Sequence, residues 1–98
     1  MRSLDISGAA KADLIAIINF GRQTWGEKRA QDYKRQFFER FQDLRKTPDM
    51  GPLRDDIAPY LRSFTVGSHV IFYRVNEVSV GILRILHQSM DIHRHLSD

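Results

Sequence analysis

The chain of 98 residues contains no cysteine. That absence excludes disulfide frameworks, thiolate zinc sites and cysteine nucleophiles, and it agrees with a reducing compartment, so the cytoplasm is the expected location. Long apolar runs are missing too: the longest are a few residues broken by Asn, Arg or Ser, and the opening "MRSLDIS" turns polar too early for a secretory leader. A bilayer span needs about 20 consecutive apolar residues, so no membrane association is expected. Repeats and low-complexity tracts are absent. A chain this short holds one hydrophobic core, and residues 1–98 are read as a single domain.

Charge of one sign is not in large excess, with 15 Lys and Arg against 12 Asp and Glu for a net +3. The surplus lies entirely in residues 1–49. It concentrates in "EKRAQDYKRQFFERFQDLRK", where Lys28, Arg29, Lys34, Arg35, Arg40, Arg45 and Lys46 face four acids. Such a stretch attracts an acidic partner, or it is a solvated helix face with local Lys28–Asp32 and Arg35–Glu39 pairs. Interleaved acids and the lack of aromatics beside cations in any loop argue against strong direct nucleic-acid binding.

What is present is clear periodicity. Leu4 and Ile6 alternate with polar neighbours as in a short half-buried strand, and Ser7 offers an N-cap. Ala10, Leu14, Ile17, Ile18, Gly21 and Trp25 then recur at steps of three and four, predicting a helix over about 8–24. Ala30, Tyr33, Phe37, Phe41 and Leu44 repeat the period from Glu27 onward, with Thr47-Pro48 as the stop. So short a link makes the two helices an antiparallel hairpin. The three prolines and Gly51 make a loop of the stretch between Thr47 and Tyr60. "LRSFTV", "HVIFYRV" and "VSVGILRIL", separated by "GS" and "NE", read as a three-stranded antiparallel meander. The expected class is α+β, in the order β-α-α-β-β-β.

If both turns have two residues, partners across the first hairpin have numbers summing to 135 and across the second to 153. One face then collects Phe64, Val66, Ile71, Tyr73, Val75, Val78, Val80 and Ile82 and receives the helices. The other carries Leu61, Ser63, Thr65, Val70, Phe72, Arg74, Ser79, Gly81, Leu83, Ile85 and His87, with Gly81 opposite Phe72. This second face is either an apolar groove for a partner or is buried by the terminal residues.

The element order, together with "AKADLIAI", "FGRQTWGEKRAQDY", "SFTVGSHVIFYRV" and "VGILRILHQSMD", resembles the ParE toxins of the RelE/ParE superfamily over nearly the whole chain. The most specific pieces are "GSHVIFYRV" and "RILHQSMD". The resemblance implies a small bacterial toxin of a type II toxin–antitoxin pair. ParE-like toxins poison DNA gyrase and block replication, whereas RelE-like relatives cut messenger RNA on the ribosome, so the residues must choose between them.

RNA cleavage through the 2′-hydroxyl needs a base, an acid and cations around the phosphorane. RelE-like ribonucleases resemble one another in placing Lys or Arg on the first two meander strands, facing away from the helices. Leu61, Ser63 and Val70 stand there in this chain. Arg84 and His87 are the remaining catalytic candidates for a ribonuclease, the runner-up reading, and a degenerate member that poisons nothing is a third. Arg62 and Arg84 either bind a phosphate or an acidic side chain or, near strand ends, simply pair with Asp55 or Asp56 in the loop, and His69 is read as a satisfied histidine near a turn. In a final helical turn His87 and Asp91 share a side at i, i+4, but His93 and His95 point nearly oppositely, so neither a metal site nor a cofactor is expected.

The expectation is therefore a non-enzymatic gyrase inhibitor. Contact with gyrase is assigned to the C-terminal segment, through His87, Met90, Asp91, His93, Arg94 and His95. A ParD-type antitoxin is expected to form a hetero-oligomeric complex by laying an acidic, partly disordered tail against Val70, Phe72, Leu83 and Ile85, with its charges along Lys34 and Arg35.

Overall fold

The computed structural model describes residues 1–96. Strand β1 (Ser3–Ile6) leads into helices α1 (Gly8–Trp25) and α2 (Glu27–Lys46), then strands β2 (Arg62–Val66), β3 (His69–Val75) and β4 (Ser79–His87), and a short helix α3 (Ile92–Leu96). The sheet order is β1-β4-β3-β2, with β1 parallel to β4 and the other pairs antiparallel.

Helix α1 starts where the Ser7 hydroxyl accepts the Ala10 N–H at 3.0 Å, satisfying one of the first-turn amides that lack an intrahelical partner. Ala10, Leu14, Ile18 and Gly21 are its buried stripe, and Ala30, Phe37, Phe41 and Leu44 are that of α2. Gly26, at φ +94°, turns the chain between the helices with a single residue. The two stripes meet Val66, Ile71, Tyr73, Val80, Ile82 and Ile85 on one face of the sheet, and this is the main core. The loop after α2 is stapled to that core: the Tyr73 hydroxyl donates to Pro48 O at 2.8 Å and accepts the Gly51 N–H at 3.0 Å.

The first hairpin has the expected register, from Arg62↔Tyr73 to Val66↔His69, with Gly67 at φ +56° opening its two-residue turn. The second departs from it. Asn76 Oδ1 accepts the N–H groups of both Val78 and Ser79, so the turn is longer and Val75 pairs with Val80. Val78, expected in the core, is consequently exposed in the turn. A bulge then leaves Leu83 between Ile82, opposite Tyr73, and Arg84, opposite Phe72.

Because side chains alternate, one extra residue moves everything beyond it to the other face. Ile85 therefore packs in the helix-side core, not beside Val70 and Phe72, and Leu86 takes the place assigned to it on the opposite face. His87 likewise lies across from His69, and Gly81 lies opposite Arg74, not Phe72.

The opposite face holds a second cluster of Leu61, Phe72 and Leu86, with Val70 and Leu83 partly buried against it. Ile57 and Ala58 from the loop and Ile92 and Leu96 from α3 cover it. Of the two expectations for this face, burial by the chain's own residues is the one observed.

Candidate functional site

Asp13, one turn into α1, organises the far end of β4. Its carboxylate takes Arg84 Nε at 2.7 Å and Nη2 at 2.9 Å, and its Oδ2 also accepts the Ile85 N–H at 2.9 Å. Bidentate hydrogen bonding to a partly buried carboxylate holds the Arg84 guanidinium above its ordinary pKa. Arg84 is thus committed to Asp13 and not to Asp55 or Asp56. Arg62 instead donates to Gly51 O at 2.7 Å, and Asp56 is paired with Arg54.

The positions where RelE-like ribonucleases carry cations are occupied as the sequence indicates. Leu61 and Ser63 are buried and Val70 is half-buried. His87 Nδ1 contacts Ser89 Oγ at 2.7 Å and the Ser89 N–H at 3.1 Å, within its own turn. Of the residues assigned to an antitoxin, Phe72 and Ile85 are buried on opposite faces of the sheet, Val70 and Leu83 are half-covered, and Lys34 and Arg35 are exposed. Arg35 is balanced by Asp32 at 3.0 Å and Glu39 at 3.7 Å. Of those assigned to gyrase, Met90, Asp91, His93, Arg94 and His95 are exposed and His87 is half-buried.

The open apolar groove lies elsewhere, on the outer side of the helical hairpin. Leu14, Ile15, Ile18 and Phe38 line a hollow of about 470 Å³ whose rim carries Lys11, Arg22 and Lys34. Ile15 is 63% exposed and Phe38 39%. Neither belongs to the periodic stripe of its helix, and an apolar residue off the stripe is the signal in the sequence that would have found this surface.

Near the β3–β4 end, Tyr33, His69 and His87 form a third grouping. The Tyr33 hydroxyl lies 2.8 Å from Val66 O and 2.7 Å from His69 Nδ1. Burial lowers the basicity of His69, with neighbouring His87 acting the same way, and burial raises the Tyr33 phenol. His69 is thus satisfied beside its turn, as expected.

Residues 4–92 match the family described as ParE toxin of the type II toxin–antitoxin system, parDE. The chain belongs to the ParE toxin family. It is 40% identical over 96 residues to Toxin ParE1 of Caulobacter vibrioides, covering 98% of this chain and 99% of that one. Toxin ParE1 of Mycobacterium tuberculosis is 36% identical over 92 residues, covering 93% and 94% of the two chains. A chain from the solved structure titled "Chromosomal ParDE TA system from P. aeruginosa" superposes with a TM-score of 0.77 at 27% identity, over 89% of this chain and 96% of that one. Fold and family as read from the sequence both hold for this ParE chain. Among its described residues no helix is long and apolar enough to cross a membrane.

Proposed function

We propose that the chain poisons DNA gyrase in the cytoplasm by non-covalent binding, blocks replication, and is neutralised in a hetero-oligomeric complex by a cognate ParD-type antitoxin. The observation that carries the choice of a binding toxin over an RNA-cutting one is the outer face of the sheet. Leu61, Ser63 and Val70 occupy it where phosphate-binding cations would be needed, and Arg84 is tied to Asp13. Arg54, whose Nη1 lies 3.5 Å from Ser63 Oγ, is paired with Asp56, and Arg74 donates to Pro59 O, so both cations beside this face are already engaged where a phosphorane would need them.

The gyrase contact is assigned to Met90, Asp91, His93, Arg94 and His95, a polar and exposed stretch beside His87. The antitoxin is assigned to the groove between α1 and α2. Its apolar floor suits the anchors of an amphipathic segment, and Lys11 and Lys34 on the rim suit acidic side chains. Lys34 stays in this assignment because it lies on the rim, whereas Phe72 and Ile85 are too buried to serve.

Purified protein is to be incubated with gyrase and supercoiled plasmid, and in parallel with translating ribosomes. Linear, gyrase-linked DNA beside intact message is the expected result. Cut message would replace this reading with the ribonuclease, and silence in both assays would leave a toxin fold that poisons nothing. For the antitoxin, rim charges predict an association rate that falls with salt while dissociation changes little. Stopped-flow rates at low and high salt measure both.

A further inference from the structure

The positive surplus of the chain is gathered at one end of the molecule. On α2, Arg35 and Arg40 are paired with carboxylates of their own helix, whereas Arg45 and Lys46 at its close make no ion pair among the described residues. Arg2, just before β1, meets them there. With Glu77 and Val78 of the β3–β4 turn these three cations line an open hollow of about 490 Å³. A neighbouring hollow of about 400 Å³ shares Arg2 and adds Arg62 and Asp49. Four cations thus follow one another against two carboxylates, all six outside any ion pair among the described residues. Cations at a helix C-terminus face the negative end of its dipole. That accounts for Arg45 and Lys46 but not for Arg2 and Arg62, which come with strands β1 and β2.

Neutral acceptors hold the guanidinium groups in place. Arg45 Nε donates to Arg2 O at 2.8 Å and its Nη1 to Gln42 Oε1 at 2.8 Å. Arg2 Nε donates to Asn76 O at 2.7 Å, and Arg62 Nη1 to Gly51 O at 2.7 Å. A guanidinium fixed through part of its fork keeps its charge, offers its other N–H groups to an anion, and loses less freedom on meeting one.

We propose that Arg2, Arg45, Lys46 and Arg62 form a contact surface for the phosphate backbone of duplex DNA. Neither hollow is lined by an aromatic ring, so there is charge for phosphates but no platform on which the bases of a single strand could stack. Both are lined chiefly by charged residues and lack the apolar floor that suits the groove between α1 and α2 to a peptide. Two carboxylates in the row keep the contact weak by itself, in keeping with the mixed charge of α2. Its strength comes from being a second contact. The nine residues of β4 put the start of that strand, beside this surface, about 26 Å from His87 at its other end. Resting on the gyrase reading above, a toxin that holds gyrase through the segment after His87 turns these cations toward the DNA that gyrase carries. Tethering then supplies the local concentration that the isolated contact lacks.

The test is fluorescence anisotropy of a labelled random-sequence duplex titrated with the full chain over a range of salt. Binding by the parent should weaken steeply as salt rises. Arg2→Gln/Lys46→Gln should bind about tenfold more weakly at low salt and reduce the slope of log K against log salt by about 2. Glu77→Gln, which removes an acid from the row, should bind more tightly than the parent. Lys28→Gln/Arg29→Gln, with the same loss of charge at the other end of α2, should bind as the parent does. No duplex binding by the parent at low salt, an equal loss in the Lys28/Arg29 variant, or equal affinity for a poly-glutamate peptide would each overturn the surface. Should the Arg2/Lys46 variant fail to fold, Glu77→Gln decides, and binding no tighter than the parent's overturns the proposal. A gyrase pull-down without DNA keeps the two readings apart. The Arg2/Lys46 variant should be retained there as the parent is, and a parent that is not retained would overturn the gyrase reading and leave the duplex measurement standing.

Discussion

On one face of the sheet, helices of 18 and 20 residues press Phe37, Phe41 and Leu44 against Ile71, Tyr73 and Ile82 in one continuous core. On the other, a loop and a five-residue helix lay Ile57, Ala58, Ile92 and Leu96 over Leu61, Phe72 and Leu86. The helical hairpin carries its own backbone hydrogen bonds and two apolar stripes, so it secures the fold. Helix α3 is too short to persist without the surface beneath it. The contacts proposed above fall on the lightly held side and on the hairpin's outer groove, both outside the main core.

That contrast is broken most severely by Phe41→Ala. Removing a fully buried ring from the main core should cost about 3–5 kcal/mol, and a urea melt should show most of the stability gone. Asp13→Ala comes next. It strips Arg84 of two hydrogen bonds and the Ile85 amide of one, for about 2–3 kcal/mol, and the same melt should show a smaller but clear drop in midpoint. Truncation after Asp91 removes α3. Because Ile92 and Leu96 are only partly buried, about 1–2 kcal/mol is expected, and the truncated chain should still melt cooperatively while losing gyrase binding in a pull-down. A loss as large as that of Phe41→Ala would make the two faces equivalent.

The smallest effect is on pH dependence. In the folded protein His69 titrates below its ordinary value of 6.5. Above that value both states are neutral and its contribution is fully present. As pH falls from 6.5 toward the lowered folded value, the unfolded chain takes a proton that the native one does not, and stability declines. His69→Gln should therefore flatten the fall in thermal midpoint between pH 7 and pH 5.

The helices were legible in the sequence to within a residue because each has a long stripe at a single period and a recognisable end, Ser7 and Gly26 for the first and Thr47-Pro48 for the second. The first hairpin was legible because Gly67 begins a turn of fixed length. The second was not. Asn76 accepts two backbone amides and lengthens the turn, and the backbone around the bulge at Leu83 is held by Ser7 on Leu83 O and Asp13 on the Ile85 N–H, 76 and 72 residues apart in the chain. No local pattern records a partner at that distance. The resulting shift hid the pairing of His69 with His87 and sent Ile85 to the wrong face. The placement of Leu61, Ser63 and Val70 on the outer face, by contrast, depended only on residues of the first hairpin and its approach, and the structure has it as read.

Strand β1 pairs with β4 only as far as Ile82. Past that point β4 would present bare backbone to any other chain able to add a strand, a common route to aggregation. The Ser7 hydroxyl, 2.8 Å from Leu83 O, and the Asp13 carboxylate, 2.9 Å from the Ile85 N–H, occupy those backbone groups with side chains. The carboxylate that positions Arg84 thereby also closes this edge of the sheet to strand addition.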